Sequence, residues 1–163
     1  MRVGVVSDTH NNHKNVNKII KIFNQEDVGV VFHTGDISNS KTLSLFQKLH
    51  ANLIGVYGNN DREERGLDEV CKKFKFTFKN PPLITELAEK RIAVLHEPEL
   101  LDPLLKDNKE IDIVLYGHTH RYHEERLGNV LVYNPGESAG MMEGLNSIGI
   151  INLKNLETQR IFF

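Results

Sequence analysis

Short apolar runs alternate with amphipathic stretches through the first half of this chain, and that alternation restricts the fold more than any other feature. Arg2–Val6 is rich in β-branched residues and reads as a buried strand. Lys14–Asn24 then sets Val16, Ile19, Ile20 and Phe23 at the i, i+3, i+4, i+7 spacing of one helical stripe. Val28–Phe32 is a second buried run. Ser40–Leu49 follows as a helix, with Leu43, Leu45, Phe46 and Leu49 on its apolar side and Ser40 as the expected N-cap. Asn52–Tyr57 is a third strand, and a helix is expected around Glu64–Phe74.

The second half is mainly strand. Leu83–Leu87 and Arg91–Leu95 flank the polar Ala88-Glu89-Lys90, the pattern of a hairpin. Pro98 opens a short helix to about Lys106, with Pro103 expected to kink or interrupt it. Ile111–Tyr116 and Val130–Tyr133 are further strands. Ser147–Leu153 and Glu157–Phe163 are joined by a turn near Lys154-Asn155. The reading is an α/β fold in one domain, 1–163, with a two-sheet core and helices outside. The net charge of −2 gives no overall case for gripping nucleic acid. Cys71 is the only cysteine, so no intrachain disulfide or cysteine-rich zinc site can form, and a packed helical thiol is expected. No apolar run approaches the roughly 20 residues of a membrane span. Met1–Ser7 is too short for a signal peptide, and a cytoplasmic location is expected.

Five of the apolar runs stop on side chains that carry lone pairs. Asp8-Thr9-His10, Gly35-Asp36, Gly58-Asn59-Asn60-Asp61, Leu95-His96 and Gly117-His118-Thr119-His120 sit at these exits. Singly, each has a bland reading: Asp-x-His and Gly-Asn-Asn-Asp are common turn sequences, and His33, inside its run, reads as a hydrogen-bonded structural histidine. Jointly, the C-terminal ends of strands in an α/β sheet gather at one edge, where ligands bind. His118 and His120 would lie on one side of an extended segment, about 7 Å apart, which suits two metals better than one.

The ordered set Asp8-x-His10, Gly35-Asp36, Gly58-Asn59-x-Asp61, His96 and Gly117-His118-x-His120 resembles the calcineurin-like metallophosphoesterase superfamily. The short length, Gly-His-Thr-His and Asn134-Pro135-Gly136 resemble its small prokaryotic phosphodiesterase branch. The resemblance implies a four-layer αββα sandwich, two packed mixed sheets flanked by helices. It also implies one metal on Asp8, His10, Asp36 and His120, and another on Asp36, Asn59, His96 and His118, with Asp36 bridging. A donor set without thiolate suits divalent ions, Mn²⁺ or Ni²⁺ first, with Co²⁺, Fe²⁺ or Zn²⁺ as alternatives.

The implied reaction is phosphodiester hydrolysis by a metal-activated bridging water or hydroxide. Two dications on two carboxylates leave a positive site, which a hydroxide and a diester monoanion would neutralise. A monoester dianion would overshoot, so a small diester substrate is expected. Many relatives carry a histidine acid after the ligand Asn, oriented by the next Asp; here Asn60 precedes Asp61. Asn60 cannot donate a proton, which leaves His10 as a candidate catalytic donor, Asp61 without its usual partner, and His123 as a distant substitute. Glu97 replaces the usual Gly after His96. Arg62 and Arg121 each follow a motif and are candidate phosphate contacts. The rival readings are a scaffold on the same fold, as in a retromer subunit, and a phosphomonoesterase. A homodimer through the terminal strands or Met141-Met142 is a further expectation.

Overall fold

The computed structural model describes residues 1–163 and contains two mixed sheets. The first is ordered β11-β10-β1-β2-β3-β4. Its strands are β1 (Arg2–Val6), β2 (Val30–His33), β3 (Asn52–Val56), β4 (Thr77–Lys79), β10 (Ser147–Asn152) and β11 (Glu157–Phe162). The second is ordered β5-β6-β7-β9-β8. It contains β5 (Leu83–Leu87), β6 (Lys90–Val94), β7 (Ile113–Leu115), β8 (Tyr122–Leu127) and β9 (Val130–Pro135).

Register aligns the exits. In the parallel set β1-β2-β3, Val6 lies beside His33 and His33 beside Gly55. The segments carrying Asp8, Asp36 and Asn59 therefore leave side by side. In the second sheet, Val94 lies beside Leu115 and Leu115 beside Tyr133, which brings together the exits toward His96, His118 and Asn134.

Burial explains the layering. Val3, Val5, Phe32 and Val56 face Ile92, Val94, Ile113, Leu115 and Tyr133 between the sheets. The alternate residues of the first sheet pack on α1 (His13–Gln25), α2 (Ser40–Leu45) and α3 (Leu67–Phe74), through Val16, Ile19, Phe23, Leu43, Phe46 and Leu67. The second sheet's outer face packs on α4 (Leu101–Asp107) through Leu104 and Ile111. Each large side chain so covered contributes about 1.5–3 kcal/mol of transfer free energy. Cys71 packs in the first-sheet helical layer, as expected of a structural thiol. No helix is long and apolar enough to cross a membrane.

Several local expectations are corrected. Asn39, not Ser40, caps α2, its side chain accepting from the Thr42 amide. That helix ends at Leu45 and tightens into a 3₁₀ turn, Phe46–Lys48. The third helix begins at Leu67, because Gly66 takes a left-handed conformation before it. Pro103 makes no kink. It sits in the first turn of α4, where its missing N–H would have had no intrahelical partner. Strands β4 and β8 were not foreseen; β8 is an edge strand whose Glu124–Leu127 residues are exposed, so it carries no apolar signature.

Candidate metal centre

The donor residues leave their strands through tight, positive-φ turns. Asp8, His10, Asp36, His118 and His120 have φ of 50, 37, 59, 65 and 58°. Non-glycine residues rarely hold this conformation, and such strain concentrates at functional sites. It also corrects the reading of Gly117–His120 as extended. With His118 and His120 both turned, their rings reach different donor groups.

In the first group, His10 Nε2 lies 3.3 Å from His120 Nε2. Asp8 Oδ1 is 3.4 Å from His120 Nε2 and 4.0 Å from His10 Nε2. In the second, Asn59 Oδ1 is 2.9 Å from His96 Nε2 and 3.1 Å from His118 Nδ1, and the two ring nitrogens are 3.3 Å apart. Asp36 stands between them. Its Oδ2 is 3.6 Å from His10 Nε2, and its Oδ1 is 3.4 Å from His96 Nε2. Asp8, Asp36 and His96 are buried, whereas Asn59 and His118 are exposed, so the cluster has a closed floor and an open mouth.

These contacts fit divalent cations. Ring nitrogens that face each other at hydrogen-bonding distance present lone pairs to the same point, and a cation satisfies them together. Asp8 Oδ1 is buried with no hydrogen-bond partner and faces the first group. The outer hydrogen bonds fix which atom faces inward. His96 Nδ1 is 2.8 Å from the Thr34 carbonyl, so that nitrogen carries the proton and Nε2 is free to ligate. Ser38 Oγ lies 3.3 Å from His10 Nδ1. Asp8 Oδ2 is occupied by the Ser7 hydroxyl and the His118 amide, which turns Oδ1 toward the histidines.

Asp61 and Asn60 both bond to groups around the donor cluster. Asp61 accepts the amides of Gly58, Asp36 and Ser38 at 2.7–2.8 Å, tying the β2 and β3 exits together. Asn60 turns inward: its amide nitrogen donates to Asp36 Oδ2 at 2.7 Å and its backbone N–H to Oδ1 at 3.0 Å. Asn134, whose amide donates to the Gly117 carbonyl at 2.9 Å, holds the His118–His120 turn. Its role as a brace could not be read from its neighbours in sequence. His123 lies outside the cluster, hydrogen-bonded to the Tyr116 hydroxyl. His13 faces Thr42, and His50 is exposed on the surface.

Electrostatics follow from this geometry. Burial opposes ionisation of Asp36, but in the metal-free protein a protonated His96, which would then donate from Nε2 as well, and the hydrogen bonds from Asn60 outweigh it and hold the carboxyl well below the usual range. Burial likewise lowers the proton affinity of His96, yet the Asp36 carboxylate reverses the shift and raises it. Asp8, more deeply covered, is pushed up by burial. Burial also pushes Asp61 up, against the pull of its three amide donors.

His33 is a brace rather than a ligand. It accepts the Gly35 amide on Nδ1 at 3.1 Å, so Nε2 carries the proton and donates to Thr9 Oγ1, also at 3.1 Å. It thereby links the two exits that carry Asp8 and Asp36. Burial holds its pKa down at about 3. The folded value lies below the unfolded 6.5, so the stabilisation from neutral His33 is full above about pH 6.5 and is lost as pH falls toward 3. The expected loss from this group alone between pH 7 and 4.5 is about 2.5 kcal/mol. Urea unfolding of chelated protein at both pH values checks it: His33→Gln should show a flatter pH dependence than the parent, and equal slopes would contradict it.

A family model for the calcineurin-like phosphoesterase superfamily domain matches residues 1–156. Phosphodiesterase MJ0936 of Methanocaldococcus jannaschii is 35% identical over 99% of this chain and 98% of its own length. The structure of an archaeal phosphodiesterase superposes with a TM-score of 0.91 at 35% identity, covering all of both chains. Zinc-complexed Vps29 from Entamoeba histolytica shares the fold at 18% identity, with a TM-score of 0.71 over 99% of each chain. With the family model spanning nearly the whole sequence and the strand-exit donors gathered at one edge, the chain belongs to the calcineurin-like phosphoesterase superfamily.

Proposed function

We propose that the protein hydrolyses small phosphodiesters at two divalent metal ions. Asp8, His10, Asp36 and His120 would hold one, and Asp36, Asn59, His96 and His118 the other. The observation that carries the reading is the carboxylate of Asp36, whose two oxygens face two separate donor groups. Bound ions would supply Lewis-acid activation of the phosphoryl group and of an attacking water. Mn²⁺ and Ni²⁺ are the first choices for a set of carboxylate, imidazole and amide donors. The complete donor set argues against a scaffold that merely retains the fold.

The residues around the ions set the substrate preference. Asp8 and Asp36 contribute two negative charges and a bound hydroxide would add a third, so a monoanionic diester balances the loaded centre better than a dianionic monoester. Asn60 commits its backbone N–H and a side-chain N–H to Asp36 and has no acidic proton to give a leaving group. Good leaving groups are therefore favoured. Asn60→His should raise kcat/KM about tenfold or more for alkyl esters and much less for 4-nitrophenyl esters, as expected of a restored general acid. A uniform change across leaving groups would reject that role.

The direct test is to strip the metals and assay bis(4-nitrophenyl) phosphate and 4-nitrophenyl phosphate with added Mn²⁺, Ni²⁺, Co²⁺ or Mg²⁺. The diester is expected to turn over faster. No turnover of either ester with any ion removes the proposal, and a faster monoester reverses the charge argument.

A further inference from the structure

Arg62 and Glu97 form an ion pair between two of the strand exits that carry donor residues. They come from different sheets. Arg62 follows Asn59 on the β3 exit, and Glu97 is the residue after His96 on the β6 exit. The pair thus spans the two segments that deliver Asn59 and His96 to the second donor group.

The two partners are unequally solvated. The Glu97 side chain is 19% exposed and that of Arg62 54%. Glu97 Oε2 is buried without a partner, while Oε1 takes the guanidinium. A carboxylate largely removed from water holds its cation firmly, because losing it would leave a buried charge uncompensated. Arg62 uses only Nη2 in this contact. The rest of its fork is free, and a guanidinium fork matches phosphate oxygens. Arg62 also borders a polar cleft of about 460 Å³, whose lining includes Asp61, Glu64, Asp68 and Glu69 with Arg65 and Asn80, so a substituent entering it would be uncharged or cationic. A diester bound at the metals carries a second ester substituent that needs such a space beside the centre.

We propose that Arg62 is a substrate-binding residue that donates to a phosphoryl oxygen at the second donor group, and that Glu97 is the positioning residue that holds it there. The inference rests on the phosphodiesterase reading and adds how that site recognises its substrate.

The test uses Mn²⁺-loaded protein, turnover of bis(4-nitrophenyl) phosphate, and calorimetric binding of inorganic phosphate. Arg62→Gln should raise KM about tenfold with kcat within about twofold, and weaken phosphate binding about tenfold. Arg62→Lys should recover only part of the loss, since an ammonium lacks the planar fork. Glu97→Gln should raise KM about threefold, and the double variant should lose no more than Arg62→Gln alone, because Glu97 acts through Arg62. Unchanged KM and phosphate affinity in Arg62→Gln, additive losses in the double variant, or a fall in metal content would overturn the assignment. If the parent turns over neither ester while Arg62→Gln still weakens phosphate binding, the phosphodiesterase reading fails and the role of Arg62 in binding phosphate stands.

Discussion

Asp36→Ala is expected to abolish binding of both metal ions and to lower phosphodiester turnover on the order of 10³-fold or more. The size follows from sharing. In the proposed arrangement each other donor holds one ion, although Asp8 also clusters with Asp36 and His96, whereas the two oxygens of Asp36 face His10 on one side and His96 on the other. Removing it leaves both groups a ligand short and takes away half the negative charge that would balance two dications. The fold should persist, because Asp61 still ties the β2 and β3 exits through the amides of residues 36, 38 and 58. Asn60 loses the acceptor of both its donors, which costs the metal-free protein about 1–3 kcal/mol. Metal-to-protein ratios after chelation and reloading give the decisive number. His120→Ala, which touches only the first group, should lose a single ion. Two tightly retained ions in Asp36→Ala would contradict the bridging position.

The donor set was legible in the sequence because its residues stand at the ends of apolar runs, and register alone then brings parallel exits together. Val6, His33 and Gly55 are neighbours across three strands, so Asp8, Asp36 and Asn59 could hardly emerge anywhere else. The helices were legible where an apolar stripe marks them, as in α1. Their ends were less so: Asn39 rather than Ser40 caps α2, since both residue types cap well and only the backbone decides. Strand β8 escaped because an exposed edge needs no apolar face. The structural role of His33 was legible, but the partners of the braces were not. His33 bonds Thr9, Asp61 bonds three amides, and Asn134 bonds Gly117, each across many residues of chain. Those contacts depend on positive-φ turns that no periodicity announces. Asp61, which the sequence leaves without its usual side-chain partner, clamps backbone amides instead.

Gly35→Ala should be strongly damaging, because one added methyl there combines backbone strain with overlap at the candidate metal centre. Gly35 has φ of +105°, beyond the left-handed region that other residues tolerate. Its added Cβ would lie 2.6 Å from His96 Nδ1 and 2.9 Å from the Gly58 Cα and N. Neither neighbour can retreat easily. His96 is fully buried and held by the Thr34 carbonyl, and the Gly58 amide is held by Asp61. Strain and overlap together are expected to cost about 3–5 kcal/mol of stability. Because any relief displaces His96 or the Asn59 turn, the second donor group should lose its ion before the first does. Gly128→Ala separates strain from overlap: its φ is +61° and nothing lies within 4 Å of the added Cβ. That variant should cost about 1 kcal/mol and leave metal content and turnover unchanged. Urea unfolding and metal analysis of the pair decide the point. If Gly35→Ala is as mild as Gly128→Ala, the close approach of the β2 exit to His96 and Gly58 is not what sets the spacing between the two sheets at the metal centre.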